Sequence, residues 1–352
     1  MAIYIIVIIA MVLLRSAFKS NRKIFCIFAG ILLYFLVALR SIQLGLSDTS
    51  GIYLSNFNMV SGMTWQSILN YKLPGQIVFL LVTKLIRLFT GNYHVYLAII
   101  GIPYIFMTIR LVYRYSKNPL LSIIYFVALY YLYSFFLLRQ VIAIAVVLVA
   151  YEYLCQDKIA KYIVFVLIAT LIHGSAIVFL LALPFCKVKK FDYTNYLLIA
   201  IVYLVSVFAP NVVLKLIGGY SSQMMSWIVN GVYDTKSSIS MFGLIITVLT
   251  LIVSHMLKNE SSYETDMLYN ISTLGSMFFA MSNVVTELYR VSLYFSIFNI
   301  LLISNSIQNI KSRRTRQIVY YSILLVLVFY FFIRSINNVN ANPYIFFWND
   351  DF

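Results

Sequence analysis

The sequence predicts an all-α protein that crosses a membrane many times, and its composition and pattern of apolar runs are the basis. Its 352 residues are 62% hydrophobic and only 11% charged, whereas soluble proteins of this size are about 25% charged. This low charge density excludes a disordered or nucleic-acid-binding chain, despite a net charge of +15. Because a membrane-spanning helix needs about 20 mainly apolar residues, the chain has room for about a dozen.

Apolar runs divide the whole chain and are the candidate membrane helices. They cover roughly 2–14, 24–44, 75–91, 93–113, 119–138, 140–155, 161–186, 193–209, 239–257, 267–285, 289–307 and 317–333. The first run has no basic region before it and no small-residue cleavage site, so we expect a retained helix rather than a signal peptide. With no internal repeat visible, we expect a single transmembrane domain over 1–352.

Clusters of basic residues between the runs predict orientation. Loops rich in lysine and arginine stay in the cytoplasm, and we infer no partner from these clusters. They contain Arg15, Lys19, Arg22, Lys23, Arg110, Arg114, Lys117, Lys158, Lys161, Lys187, Lys189, Lys190, Lys258, Lys311, Arg313, Arg314 and Arg316. The opposite side then carries two outer loops, 45–74 and 210–238, and the first has the composition of an interfacial amphipathic helix.

Two runs do not fit if every basic cluster is cytoplasmic, and both contain polar residues. The run 75–91 carries Lys84 and Arg87, and the run 161–186 is interrupted by His173-Gly174-Ser175. If both are re-entrant there are ten crossings, and if both cross there are twelve, with Arg139 moved to the cytoplasmic side. We favour the re-entrant path, because broken helices at membrane depth line protein cavities. Either path places both termini outside.

Isolated basic residues within apolar sequence are the first candidate site residues, because a buried charge usually faces a cavity or a partner. Arg139, followed by Gln140, has no acidic residue within a helical turn. Its guanidinium offers the bidentate geometry that suits phosphate, and the alternative is a snorkelling arginine at a helical hairpin. Arg40, near the outer end of its run, has the same two interpretations.

A second candidate group lies late in the chain. Arg290 follows Glu287 by three residues, with Tyr289 and Tyr294 beside it. An ion pair at this spacing can be purely structural, or the tyrosines can line a cleft for a sugar or a lipid headgroup.

Asp48 and His173 are the candidate acid–base residues. Asp48 is the only acidic residue of the first outer loop and is alternatively a helix N-cap. His173 is either a satisfied core histidine or part of a site at a broken helix. Cys26, Cys155 and Cys186 show no paired spacing, and no metal-binding or nucleotide-binding motif is present, so we expect no metal or cofactor.

The order of these motifs resembles the EpsG family, which contains Wzy-type polymerases of bacterial O-antigen, capsule or exopolysaccharide repeats. The motifs are Arg40, Gly45-Leu46-Ser47-Asp48-Thr49 and Tyr53; Arg139-Gln140; Ala169, His173, Ser175 and Ala176; and Tyr289-Arg290 with Tyr294-Phe295. The helix after the first loop usually opens with an acidic residue in this family, whereas Lys72-Leu73-Pro74-Gly75 stands here.

The resemblance implies a C-type glycosyltransferase fold in the bacterial inner membrane, acting on its periplasmic face without a metal. The growing glycan would leave undecaprenyl pyrophosphate for the next lipid-linked repeat, and a chain-length regulator is a possible partner. Arg139 and Arg290 would stabilise the leaving pyrophosphate, and His173 or Asp48 would be the base. Arg40, Lys84, Arg87, Gln140, Glu287, Tyr289 and Tyr294 would bind the substrate.

Two other functional classes stay open from the sequence. One is another lipid-linked transferase, such as an O-antigen ligase or an acyltransferase, and a ligase is expected to have a larger late outer loop than 210–238. The other is a flippase for the same lipid, which inverted repeats with matched broken helices would favour.

Overall fold

The protein is an all-α polytopic membrane protein, as the sequence predicts. A computed structural model describes residues 2–45, 47–71, 76–186, 193–220, 238–257, 263–285, 287–336, 338 and 341–350. In these ranges the regular elements are helices, with one isolated β-bridge between Arg40 and Phe346. The α-helices are α1 Ala2–Ala17, α2 Arg22–Ala38, α3 Leu54–Gly62, α4 Trp65–Leu69, α5 Ile77–Arg87, α6 Tyr93–Tyr115, α7 Pro119–Leu129, α8 Leu138–Cys155, α9 Ile159–Ile172, α10 Ala182–Cys186, α11 Tyr193–Phe208, α12 Pro210–Tyr220, α13 Ser238–Met256, α14 Tyr263–Met281, α15 Leu288–Ser296, α16 Asn299–Ile307 and α17 Arg313–Ile336.

The described helices differ in whether they are long enough to cross a bilayer alone. Three of them, α6, α8 and α17, are long and apolar enough to do so. Helices α15 and α16 together form a fourth candidate span, bent by 41°. Six further apolar helices in the described ranges have 10–17 residues, so the ten to twelve crossings stay a prediction.

The chain forms two compact units. The first unit consists of 1–177 and 313–352, and the second unit is 178–312. The prediction of one transmembrane domain, with outer loops 45–74 and 210–238, remains a prediction. Residues 72–75 and 221–237 of those loops lie outside the described residues.

In the first unit, polar contacts at two opposite ends of the helices fix their packing. At one end, Arg110 Nε and Nη2 each donate to the Glu152 carboxylate at 2.9 Å, and Arg114 Nη1 donates to it at 2.7 Å. These bonds tie the basic end of α6 to α8. At the other end, which we call the Arg40 end, the Tyr4 hydroxyl donates to the Ala341 carbonyl at 2.6 Å. Tyr4 of α1 and Ala341 therefore lie together at the Arg40 end, and the location of both termini outside stays a prediction.

The run 119–138 is not one helix, contrary to the sequence interpretation. Helix α7 ends at Leu129, and a 3₁₀ helix over Tyr131–Phe135 connects it to α8. Arg334 of α17 donates Nη1 to the carbonyls of Ala128, at 3.0 Å, and Leu129. These carbonyls are acceptors that the end of a helix leaves without partners. Arg334 therefore caps α7.

The two predicted irregular runs are also short or broken in the structure. Helix α9 ends at Ile172, His173 is extended with φ −147° and ψ 109°, and a 3₁₀ helix covers Gly174–Leu181. Helix α5 has 11 residues and is therefore about 16 Å long, half the thickness of the hydrocarbon core. It packs on the preceding loop through the cluster of Val60, Ile68 and Leu80. The re-entrant path of 75–91 stays a prediction.

The second unit is held by small and polar side chains, which are common at helix contacts in membranes. A Cβ on Gly275 of α14 would lie 3.0 Å from the backbone nitrogen of Ser296 in α15. Asn195 of α11 donates Nδ2 to Asn270 Oδ1 and to Thr273 Oγ1 of α14, both at 3.0 Å. These contacts let the helices pack closely and fix their registers.

Candidate functional site

Arg139 lies in the first turn of α8, directly after the break between α7 and α8. Its backbone N–H donates to the Tyr53 hydroxyl at 3.4 Å. Its Nε is buried and has no hydrogen-bond partner. The start of a helix also presents unpaired N–H groups and a partial positive charge. This position therefore combines a guanidinium with the positive end of a helix, an arrangement suited to an anion.

A π-helix over Ser47–Tyr53, inside the first outer loop, packs against this break. Thr49 donates Oγ1 to the Phe135 carbonyl at 2.7 Å, and the Tyr93 hydroxyl donates to the Thr49 carbonyl at 2.6 Å. Gly45 has φ +89°, and a Cβ there would lie 2.4 Å from both the Phe135 oxygen and Thr49 Oγ1. Gly45 and Thr49, which belong to the sequence motif, therefore have a structural role, because both pack closely against the break.

Asp48 belongs to the first turn of this π-helix, and it does not cap α3, whose N-cap is Tyr53. Asp48 and Arg139 both interact electrostatically with the Tyr53 hydroxyl. The structure thus brings two predicted site residues, Asp48 and Arg139, to one tyrosine. Tyr96 also interacts electrostatically with Arg139.

Arg40 is fully buried, with 1% of its surface exposed. Its Nη1 donates to the Val37 carbonyl at 2.7 Å, while Nε and Nη2 have no hydrogen-bond partner. The guanidinium carbon lies 5.4 Å from the centroid of the Phe135 ring, and Arg40 interacts electrostatically with Tyr93. A buried charged donor without an acceptor is costly. Arg40 is therefore poised to take an anionic acceptor.

Lys84 and Arg87 hold the short helix α5 against the outer-loop helices. Lys84 Nζ donates to the carbonyls of Val60, at 3.1 Å, and Met63, at 2.6 Å. The Arg87 guanidinium lies 4.6 Å from the centroid of the Phe57 ring, and its buried Nε has no hydrogen-bond partner. Lys84 therefore has a structural role here, and its predicted phosphate contact stays a prediction, as does that of Arg87.

His173 lies at the break after α9. Its Nδ1 is 2.8 Å from Ser175 Oγ, so the Ser175 hydroxyl of the sequence motif holds the imidazole ring. The predicted break at a polar residue is present. Gln140, the other predicted residue of α8, is buried, with 1% exposed.

The second unit contains the other predicted group, at the start of α15. Arg290 Nε is 3.4 Å from the Tyr289 hydroxyl, and its guanidinium carbon is 5.9 Å from the centroid of that ring. Burial raises the pKa of the Glu287 carboxyl, and the nearby Arg290 partly opposes this. Tyr294 is fully buried in the helix core. Arg290, Tyr289 and Glu287 therefore form a local group, whereas Tyr294 packs inside the unit.

The structure adds residues near Arg40 that the sequence analysis missed. Asp350 accepts hydrogen bonds from Ser41 Oγ and from the Ile42 N–H, the latter at 3.0 Å, and its Oδ2 is 3.5 Å from His94 Nε2. Asp350 and Ile42 are 308 positions apart, so no sequence spacing could predict their contact. Within the described residues, no group of three or more histidine, cysteine or acidic side chains is placed to hold a metal ion.

A comparison with family models decides the relationship of this chain to known proteins. The model of the EpsG family matches residues 23–346 of the 352-residue chain. The chain belongs to the EpsG family. This is a family of Wzy-like polymerases, so the predicted resemblance is confirmed, and the family indicates a polymerase-like membrane protein of polysaccharide biosynthesis. Neither a curated protein nor a solved structure shows significant similarity to the chain.

The EpsG-family match contains every site residue that the sequence predicts, from Arg40 to Tyr294. Asp350 lies beyond the matched range, although it contacts Ser41 and Ile42 inside it. In this EpsG-family protein, the carboxylate beside Arg40 thus comes from outside the matched segment.

Proposed function

We propose that this EpsG-family protein transfers a growing glycan from undecaprenyl pyrophosphate onto the next lipid-linked repeat unit. The observation that carries this proposal is that the buried Arg40 and the half-buried Arg139, two of the arginines of the first unit, have buried guanidinium nitrogens without a hydrogen-bond partner. A pyrophosphate leaving group supplies the oxygens that such donors need.

The proposed reaction releases a pyrophosphate, whose developing negative charge must be stabilised. A hydroxyl of the acceptor sugar attacks the anomeric carbon of the donor, and the bond from that carbon to the pyrophosphate oxygen breaks. The proton leaves the hydroxyl for a base, and the electron pair leaves with the lipid pyrophosphate. Donors that are already oriented where negative charge develops lower the barrier most effectively.

The roles of the first unit follow from this reaction. Arg139 stabilises the leaving pyrophosphate, assisted by the N-terminal amides of α8, and Arg40 binds the phosphates of the lipid. Asp48 either binds a sugar hydroxyl or orients Arg139 through Tyr53. His173 is the proposed base, because its ordinary pKa is close to neutral, and Asp48 is the alternative base.

The remaining roles rest on the family resemblance. Arg290 is the proposed second cation, and Gln140, Glu287, Tyr289 and Tyr294 are proposed substrate-binding residues, together with Lys84 and Arg87. Metal-independent transfer, the bacterial inner membrane, a periplasmic active site and a chain-length regulator as partner belong to the same proposal.

Deletion of the gene, followed by electrophoresis of the cell-surface glycan, tests this function. If the protein is a polymerase, the deletion should reduce the ladder of chain lengths to one repeat unit, while lipid-linked single repeats persist. Complete loss of surface repeats would instead indicate a ligase or a flippase, the two other classes that the sequence left open. Complementation with the intact gene is the control.

A further inference from the structure

The C-terminal residues 344–350 lie across the end of α2 and cover Arg40. The Ser41 N–H donates to the Ile345 carbonyl at 2.8 Å, and the Phe347 N–H donates to the Leu39 carbonyl at 3.0 Å. The Tyr344 hydroxyl adds a bond of 2.7 Å to the Leu36 carbonyl. These contacts place Asp350, at the end of this segment, beside the turn that follows α2.

The Asp350 carboxylate occupies a set of donors that suits any oxyanion. Ser41 Oγ and the Ile42 N–H donate to its two oxygens, and His94 Nε2 is 3.5 Å from Oδ2. Ser41 Oγ also accepts the Gln43 N–H at 2.9 Å, which fixes the hydroxyl of the turn. Only 2% of the Asp350 side chain is exposed. Backbone and hydroxyl donors in a turn form a common anion-binding arrangement.

Arg40, directly before this turn, is not neutralised by the carboxylate through a hydrogen bond. Its Nε and Nη2 are buried and have no hydrogen-bond partner. The Asp350 carboxylate thus contacts the two residues that follow Arg40, yet the Arg40 guanidinium still lacks an acceptor at Nε and Nη2. A pyrophosphate is larger than a carboxylate and carries more oxygens, so it can accept from Ser41 and Ile42 and also reach Arg40, to which the Asp350 carboxylate makes no hydrogen bond.

We propose that Ser41, Ile42 and His94 form an oxyanion subsite beside Arg40, which Asp350 occupies until a pyrophosphate group displaces it. This inference rests on the proposed function, because it assigns one part of the substrate to this subsite. Asp350 is then an intramolecular competitor, and the protein without ligand holds its own anion in the place of the substrate anion. When pyrophosphate displaces Asp350, it also supplies an acceptor for the unpartnered Nε and Nη2 of Arg40.

The test is binding of inorganic pyrophosphate and of undecaprenyl pyrophosphate to the purified full-length protein, measured by calorimetry. Asp350→Asn keeps the size of the side chain but removes its charge. Because a state that is only partly competent lowers the apparent affinity, this variant should bind pyrophosphate about tenfold more tightly. Asp157→Asn, on an exposed turn, is the matched control with the same change of net charge and should bind as the wild type does.

Two further variants separate the subsite from a general effect of charge or folding. Ser41→Ala in the Asp350→Asn background should lose most of the gain, and Arg40→Gln should weaken binding of both ligands. A gain for undecaprenyl pyrophosphate alone shows that the subsite binds the pyrophosphate group only when it carries the polyprenyl chain, and a gain for both ligands shows that the pyrophosphate group alone is sufficient. Unchanged or weaker binding by Asp350→Asn would overturn the proposal and leave Asp350 as a structural latch.

The binding readout is independent of glycan transfer. If Asp350→Asn binds pyrophosphate more tightly but the wild type makes no polymer, the proposed function fails and the subsite stands. If the wild type makes polymer and Asp350→Asn shows no gain, the subsite fails and the function stands.

Discussion

At the scale of residues, Arg139 is held by its backbone at Tyr53, and its buried Nε keeps a donor for a ligand. Arg139→Ala should abolish long glycan chains while single lipid-linked repeats and protein level persist. Removing one donor aimed at developing charge costs about 10²–10³ in rate. Arg139→Lys should also make no long glycan chains, because lysine cannot make the bidentate contact with the pyrophosphate.

Glycan electrophoresis of a complemented deletion strain measures both Arg139 variants. Arg313→Ala, at an exposed arginine that begins α17, is the control and should keep the normal ladder. A normal chain length in Arg139→Ala would remove Arg139 from the site.

Gly45 gives a second prediction at this scale, because its role is steric. Gly45→Ala would force a Cβ to 2.4 Å from the Phe135 oxygen, at a φ of +89°. We expect a loss of about 1–3 kcal/mol in the free energy of unfolding. Thermal unfolding in detergent measures this, with Gly62→Ala as the control, since a Cβ there meets nothing within 4 Å. Equal stability of the two variants would contradict the packing account.

The candidate residues differ in how far the sequence could predict them. Arg40 and Arg139 could be chosen because an isolated charge in apolar sequence is costly. The sequence placed Tyr53 in the same motif as Asp48, but it did not reveal that Tyr53 connects Asp48 to Arg139, because Tyr53 and Arg139 are 86 positions apart. Asp350 and His94 were missed because only the folded chain brings them to Ser41 and Ile42.

At the scale of elements, α7 ends shortly before the break that precedes Arg139. Arg334 stabilises this helix end by donating to the carbonyls of Ala128 and Leu129. Arg334→Ala leaves two carbonyls without their donor, so unfolding should lose about 1–3 kcal/mol. The glycan ladder should persist with reduced amplitude, since the residue touches no proposed ligand.

The same thermal unfolding assay measures Arg334→Ala, with Arg314→Ala, at an exposed position of the same helix, as the control. Unchanged stability would show that the cap contributes little. A selective loss of polymer at normal stability would assign Arg334 a direct part in the site.

Helices were easier to predict than their ends. The runs 140–155 and 317–333 correspond closely to α8 and α17, because a long apolar stretch in a membrane protein most often forms a single helix. The run 119–138 was misread because apolar composition is the same in an α-helix and in the 3₁₀ helix at Tyr131–Phe135. The break at His173 was predicted because polar residues and a glycine mark it.

At the scale of the whole molecule, the predicted topology places the Arg40 end outside and the Glu152 end in the cytoplasm. A cysteine-free protein carrying Trp65→Cys should react with a membrane-impermeant thiol reagent in intact spheroplasts, because 45% of Trp65 is exposed near the Arg40 end. Lys158→Cys, exposed in the turn after α8, is the matched control and should react only after permeabilisation. The reverse pattern would invert the topology.

Transfer by the purified protein decides whether it is a polymerase. Proteoliposomes with the wild type, a synthetic undecaprenyl-pyrophosphate-linked repeat and a metal chelator would be analysed by mass spectrometry. We expect a lipid-linked product of two repeats, with release of undecaprenyl pyrophosphate, and no such product with Arg139→Ala. Lipid-linked repeats that stay single with the wild type would contradict this expectation.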